Sequence, residues 1–595
     1  MKMGKLVSLI LLPFMLACVT SAFAQSDRGT ITGTVTDPSG AVVGNAKITA
    51  TSLDTGEVRE ATTSDEGNYT LPELKAGPWK ISVEAQGFKS SALDRVQVAV
   101  QVTRTVDIKL EAGSVSETVN VTAEAPVIQP DSAVRQTNVT ERQVKELPLA
   151  VSAESGGRTP LAFIFLDSNV TAASSTTGRG TDASNFRVSG GQGLGTEILI
   201  DGASTRRAQN GTFFSEVAPG PNAFQEFTIS TSTYSAEFGS SSGGIVNFTI
   251  KSGGNEFHGE VYDLLRNKAL NANSFLNNAL GFNKPEDSQN DFGGNIGGPV
   301  WIPKVYNGRN RTFFFFNYEG YRFSQSETVA VSVPTLKMRA GDFSELLTDP
   351  AVLRQFPNGV QIYDPTQPPG TRAAIPGNRL DLYRGGAVID PVGLAALQRF
   401  PEPTGPGVFH NFTTTSTVPT DMNNYIGKVD QVISDKQRFA VSYSNRKLTA
   451  IKGGFPRFPA PFVVQDVWDQ NFKSDYVRFQ HDYTLAPTLL NHLNFGFNRV
   501  EVINRNFTEG FNPNQELGLP LNASQNLAFP RLGFPGYGDP VVSGDIRAYQ
   551  NIGSTFFSDN QKDKEFEIAD FVTWVKGRHT FKFGGDVRWT QFDIH

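Results

Sequence analysis

Between Gly29 and Leu110 apolar and polar residues alternate by twos, in short runs divided by turn residues. Thr30–Thr36 is the first run, closed by Asp37-Pro38-Ser39-Gly40, and Lys47–Thr51, Asp65–Leu71, Trp79–Ala85 and Arg104–Leu110 follow. A period of two places successive side chains on opposite faces of a strand, and clusters of Gly, Pro, Asn and Asp end it. Strands this short at this spacing predict a β-sandwich of about seven strands. Further on, Thr140–Leu147 predicts a short helix before Pro148. Two glycine-bordered β runs, Glu197–Gly202 and Gly243–Gly253, predict a compact sheet with tight turns.

From Phe257 onward the alternation returns with a different rhythm. Phe439, Val441 and Tyr443 alternate with Ala440, Ser442 and Ser444; Leu493, Phe495 and Phe497 alternate with Asn494, Gly496 and Asn498. Near the end of the sequence Phe581, Phe583, Val587 and Trp589 share one face, and Lys582, Asp586 and Arg588 the other. A membrane barrel needs an apolar lipid side and a polar lumen side, over about 9–11 residues per crossing. A soluble sandwich alternates as well, so the connections have to separate the two. Ser434-Asp435-Lys436, Leu485-Ala486-Pro487-Thr488 and Lys576-Gly577-Arg578 read as tight turns, whereas 267–290, 325–421, 448–466 and 504–562 read as long irregular loops. Short turns at one end and long loops at the other are the pattern of an outer-membrane barrel. The crowded Phe313–Phe316, with Tyr318 and Tyr321, suits an interface girdle or a Phe-rich core.

The first residues do not belong to this scheme. Lys2 and Lys5 precede an apolar run from Leu6 to Val19, and Ala22-Phe23-Ala24 offers a cleavage site, so residues 1–24 read as a secretory signal. A lipoprotein reading with Cys18 acylated competes with it, but Met15 stands where Leu is usual. Cys18 is the one cysteine of 595 residues, so cleavage after Ala24 leaves no thiol behind and no disulfide to form. The net charge of −6, without basic runs, argues against a nucleic-acid binder. The six histidines (258, 410, 481, 492, 579 and the terminal 595) are scattered, so they suggest no metal cage and no cofactor.

The series Gly33-x-Val35-x-Asp37, Gly40, Asp65-x-Gly67-x-Tyr69, Gly77 and Gly87-Phe88 resembles the carboxypeptidase regulatory-like domain, a prealbumin-like fold grouped with carbohydrate-binding-like folds. The resemblance implies a docking or structural module, since His258-Gly259-Glu260-Val261 has Val where the carboxypeptidase zinc motif needs Glu. Next comes Glu117-Thr118-Val119-Asn120-Val121-Thr122, which resembles a TonB box, the extended segment captured by the periplasmic energy-coupling protein TonB. A last sandwich strand before a boundary at Pro126 is the other reading. Phe186–Gly191, Leu199-Ile200-Asp201-Gly202, Phe224–Ile229 with Glu226, Tyr234–Gly239 and Gly243-Gly244-Ile245-Val246-Asn247 through Lys251 are similar, in order and spacing, to the plug of TonB-dependent receptors. Phe257–Arg266, Phe292–Val300 and Arg311–Arg322 resemble the start of the Oar-like barrel of that group.

These resemblances imply a mainly β chain divided into a sandwich (28–111), a TonB-box-like linker (115–126), an α+β plug (127–254) and the first part of an antiparallel transmembrane barrel (255–595). About nine strands are countable, against about 22 for a closed receptor barrel, so the expectation is an N-terminal portion of a longer receptor. The implied function is import of a ligand, a glycan or a peptide, across the outer membrane, driven by TonB and its inner-membrane energising complex. An outer-membrane carbohydrate-binding or adhesion protein without transport is the alternative. Gly239-Ser240-Ser241-Ser242-Gly243 matches a hydrolase nucleophile elbow, but a Gly-Gly and a β run follow where a helix is required, so no enzyme is expected.

Overall fold

In the computed structural model the described residues are 28–113, 118–121, 134–147, 151–152, 157–172, 186–208, 219–279, 281, 283–453, 467–519, 529, 558–577 and 579–595. The expected secretory signal, residues 1–24, and its expected cleavage site lie outside them. The N-terminal unit has eight short strands where the alternation predicts about seven: β1 (Gly29–Thr36), β2 (Lys47–Ser52), β3 (Val58–Thr62), β4 (Asn68–Leu74), β5 (Gly77–Glu84), β6 (Ser90–Val98), β7 (Thr103–Thr105) and β8 (Ile108–Lys109). One sheet is β4-β1-β7 with β8 also on β1, and the other runs β3-β2-β5-β6. Every second residue of β1 is buried, as the period of two requires. Ile31, Val35, Ile48, Trp79, Ile81 and Val83 form a core belonging to this unit alone. The polar tips of its buried rings are satisfied: Tyr69 Oη donates to the Val106 carbonyl at 2.7 Å, and Trp79 Nε1 donates to the Lys75 carbonyl at 2.9 Å. A fifth strand, β9 (Thr118–Val121), runs parallel to β6 and forms the sheet's edge.

The second unit is a five-stranded sheet made by β10 (Arg135–Thr140), β11 (Glu197–Ile200), β12 (Ala203–Ser204), β13 (Phe224–Ser232) and β14 (Ile245–Ile250), in the order β10-β13-β14-β11-β12. The predicted helix is α1 (Glu141–Glu146), held by a capping box between Thr140 and Gln143. One face of the sheet is apolar, with Phe224 and Phe227 packed on Phe248 at 4.9 and 4.7 Å between ring centres. Leu161, Phe163 and Ile164 join this core, as do Phe315, Tyr321, Met422, Ile426 and Phe472 of the third unit.

The third unit is one antiparallel sheet of nine strands in sequence order: β15 (His258–Asn267), β16 (Asp287–Pro299), β17 (Thr312–Val331), β18 (Phe412–Ser434), β19 (Gln437–Gly453), β20 (Val467–Ala486), β21 (Leu489–Asn506), β22 (Asp559–Lys576) and β23 (His579–Ile594). Its edges, β15 and β23, do not pair with each other. The sheet curves round the second unit, which lies on its inner side as a plug. Along β21 the buried set is Leu490, His492, Asn494, Gly496, Asn498, Val500, Val502, Asn504 and Asn506, while the Phe495 and Phe497 positions face outward. On β23 Phe583, Val587 and Trp589 are likewise exposed. A polar inside against an apolar outside inverts the soluble sandwich. No helix among the described residues is long and apolar enough to cross a membrane.

The long-loop expectations need correction: 287–290, 448–453, 504–506 and 559–562 are paired strand residues, and two stretches depart further. Residues 325–331 and 412–421 are not loop: they extend β17 and β18 as a paired ladder, with Ser326 Oγ to Thr417 Oγ1 at 2.6 Å and Thr328 Oγ1 to Thr415 Oγ1 at 2.8 Å. Their polar runs resemble a loop in composition, but cross-strand hydroxyl pairs satisfy them. Residues 332–411 are not irregular either. Short helices at Leu336–Arg339, Glu345–Thr348, Pro350–Gln355 and Pro391–Leu397 pack small cores around Met338, Val352 and Val408 and around Val333 and Phe400. The aromatic cluster also divides between its two readings, with Phe313, Phe315 and Tyr321 buried inward and Phe316 exposed.

Candidate plug latch and coupling segment

Ile200-Asp201-Gly202-Ala203 is the tight turn joining β11 to β12, with Ile200 opposite Ala203. Both central residues have positive φ, 47° for Asp201 and 78° for Gly202. A two-residue loop of this kind favours Asp-Gly, because Asp tolerates the left-handed region and Gly enters it freely. The turn pushes its backbone carbonyls into the barrel wall, where inward-facing side chains of β20 and β21 meet them. Gln480 Nε2 and Asn494 Nδ2 donate to the Asp201 carbonyl at 2.9 and 3.0 Å. Arg478 Nε donates to the Ile200 carbonyl at 3.0 Å, and Asn498 Nδ2 to the Ser204 carbonyl at 2.7 Å. Gly496 lies between the two asparagines, where a Cβ would come within 2.7 Å of Ala203 Cβ.

The Asp201 carboxylate completes this latch. Oδ1 accepts the Ile250 N–H at 2.9 Å and Oδ2 pairs with Lys428 Nζ of β18 at 3.2 Å. Lys428 also donates to the Ile250 carbonyl, so one ammonium ties both plug strands to the wall. A second group lies towards β22 and β23: Glu197 pairs with Arg588 at 3.0 Å, Arg588 with Glu567 at 3.1 Å, and Arg207 with Asp563 at 2.8 Å. Glu567 also accepts the Ser204 N–H at 2.7 Å.

The remaining plug-motif residues fall into three places. Leu199 and Ile200 are buried on β11, facing Asn247 and Phe248 across a parallel ladder. Gly243 and Gly244 lead into β14, and Lys251, just past it, pairs with Glu141 at 2.9 Å. Burial pushes the Glu141 carboxyl up, but Lys251 and Lys145 outweigh it and hold the group below its ordinary value. Glu226 lies on the opposite, polar face of the plug sheet and reaches the sandwich: Oε1 accepts the Val100 N–H at 2.6 Å, and Oε2 accepts from Asn138 at 3.3 Å. Its burial raises its pKa, a shift the two donors only partly offset. Asn247 is fully buried on the same face.

Thr118–Val121 of the proposed coupling segment form the parallel edge strand β9, with Ala92 opposite Asn120. Glu117 and Thr122 lie outside the described residues. Ser241 of the elbow-like motif is a turn hydroxyl: Oγ donates to the Gly244 carbonyl at 2.7 Å, and a strand rather than a helix follows. The sequence marked Asn494, Asn498, Lys582 and Arg588 as a polar face but left Lys428, Gln480, Arg478 and Glu567 unnoticed, because only the fold shows what an inward polar side chain meets.

A curved wall of antiparallel strands, apolar outside and latched inside to a small α+β plug, defines a plugged membrane barrel. Residues 249–595 match the outer membrane beta barrel domain family, and the chain belongs to that family. Residues 30–111 match the carboxypeptidase regulatory-like domain. The chain is 29% identical over 292 residues to the TonB-dependent transporter Oar of Myxococcus xanthus, a match covering 48% of this chain and 26% of that protein. Among solved structures it is similar to the outer membrane transporter YddB from Escherichia coli (TM-score 0.43, 12% identity, 77% of this chain, 48% of that one). The siderophore receptor PirA from Acinetobacter baumannii gives a TM-score of 0.39 at 12% identity, again over 77% of this chain and 48% of that one. The chain thus spans about half the length of these solved receptors and about a quarter of Oar.

Proposed function

We propose that the chain is part of a TonB-dependent outer-membrane receptor that imports its ligand by moving the plug. The observation that carries this reading is the latch: a plug held inside the barrel wall by side-chain bonds to its backbone and by a few ion pairs. Such contacts fix a register, yet each can be broken and remade in water. Glu117–Thr122 is the segment TonB would capture by strand addition. Among the described residues β9 pairs only with β6, and this supports the role. Leu199, Ile200, Asp201, Gly202, Glu226, Gly243, Gly244, Asn247 and Lys251 would form the framework that the pull displaces. Cleavage after Ala24 would send the chain to the periplasm, with the sandwich and plug reached from that side. A glycan or a peptide is the ligand class we favour, on the analogy of the sandwich with carbohydrate-binding-like folds.

The test is a Val119→Cys variant in cells. It should form a disulfide-linked adduct with a cysteine-bearing TonB; separately, a chain lacking 117–122 should no longer co-purify with TonB while it still reaches the outer membrane. Capture that survives the deletion would refute the assignment.

A further inference from the structure

The sandwich touches the rest of the molecule through polar groups. Arg28 pairs with Asp482 at 2.9 Å and Lys75 with Asp430 at 2.7 Å, both on the barrel near the short turns. Glu73 meets Lys582 and Thr573, each at 3.2 Å. Between sandwich and plug, Val100 N–H donates to Glu226 and Thr228 Oγ1 donates to Gln101 Oε1 at 3.4 Å. The apolar core of the sandwich is separate from that shared by plug and barrel.

The plug surface is polar where the sandwich meets it, while Leu199 and Ile245 on the same face pack with Phe238 in a small apolar cluster. Glu226, Thr228 and Ser230 alternate along β13, opposite Thr249, Asn247 and Ile245 of β14, and Asn138 and Gln136 of β10 lie beside them. This face is incompletely satisfied: both amide atoms of Asn247 and of Gln136, Asn138 Oδ1 and Thr249 Oγ1 are buried without a hydrogen bond. Two polar cavities flank the contact. One of about 340 Å³ is bordered by Asp54, Gln225, Thr249 and Lys251, and one of about 230 Å³ by Gln101, Gln136, Ser230 and Lys582. Polar cavities of this size hold water. A sheet face meant for permanent burial would be apolar, as the opposite face of this same sheet is. A polar face with unmet donors and acceptors regains hydrogen bonds when water reaches it.

We propose that the sandwich is a detachable cover over the periplasmic face of the plug, carried away when β9 is pulled. The inference rests on the reading of Glu117–Thr122 as the coupling segment. Because β9 is a strand of the sandwich's own sheet, a pull on it acts first on the sandwich. The contacts that yield are those with Glu226, Thr228, Asp430, Asp482, Thr573 and Lys582, and the polar plug face is uncovered before the Asp201 latch is loaded.

Cysteine reactivity in cells tests this, since cleavage of the leader removes Cys18, the chain's one thiol. Thr228→Cys, in the full chain, is exposed to a small sulfonated maleimide that enters the periplasm. Asn247→Cys on the same face serves where Thr228→Cys fails to accumulate, and Val246→Cys on the apolar face is the reference. Labelling at residue 228 should rise severalfold in energised cells over cells treated with a proton uncoupler, residue 246 should stay protected, and deletion of 117–122 should remove the rise. Equal labelling with and without energy, in cells where the Thr228→Cys chain still co-purifies with TonB, would overturn the cover while leaving the coupling segment intact. Labelling of residues 228 and 246 together would also overturn it, by showing that the plug opens as a whole. A rise that persists after the deletion would refute the coupling segment itself.

Discussion

Lys428 and Asp201 meet where both side chains are almost completely buried, and the ammonium also holds the Ile250 carbonyl. Removing one partner of such a pair leaves a buried charge uncompensated, at about 3–5 kcal/mol. Lys428→Ala is therefore expected to lower stability by about that amount, read from the urea midpoint of the folded chain in detergent. Glu226 gives a prediction of a different kind. Its folded pKa lies above the ordinary 4.5 because burial disfavours its charge. Its contribution is full below the unfolded value and is lost as pH rises through the raised one. Glu226→Gln keeps an acceptor for Val100 without the charge, so the variant should gain stability over the parent as pH rises from below 4.5 to neutrality. A constant difference across that range would show that Glu226 does not titrate there. At this scale the sequence read Glu197–Gly202 as a single β run, and only the structure shows that Asp201-Gly202 turns the chain back to pair Ala203 with Ile200.

Strand β21 shows what an element adds. Its sequence announces two faces, and the structure assigns them, Asn494 and Asn498 to the plug and Phe495 and Phe497 to the outside. An arginine on a lipid-facing position near mid-bilayer costs about 2–4 kcal/mol. Losing one neutral hydrogen bond costs about 1 kcal/mol. Phe495→Arg should therefore impair folding into lipid vesicles far more than Asn494→Ala, while Asn494→Ala loosens the plug and leaves insertion of the wall intact. Both are measured by urea titration in vesicles, and the reverse order would mean that the faces are exchanged. The segment 332–411 was not legible at this level. Its helices are four to seven residues long, too short for a periodic pattern, and hold together only through contacts distant in sequence.

For the whole molecule, the separation of its two largest apolar cores, one in the sandwich and one shared by plug and barrel, implies two cooperative units. Trp79 is buried in the sandwich core. In a variant where the other tryptophans are replaced by Phe, its fluorescence should report a urea transition that precedes the loss of barrel structure. A single coincident transition would show that polar docking couples the units more tightly than their separate cores require.

Alternation by itself determined that the chain is built of strands, and its turn and loop spacing placed a sandwich before a barrel. Both follow from a period of two, a local property of the backbone. The two glycine-bordered runs read as strands, Glu197–Gly202 and Gly243–Gly253, contain the paired strands β11 and β14. Tertiary structure decided which polar face meets which partner, that Lys428 and Arg588 are latch residues, and that β9 belongs to the sandwich sheet. These depend on contacts between residues hundreds of positions apart, whose energies come from burial and geometry that no local pattern encodes.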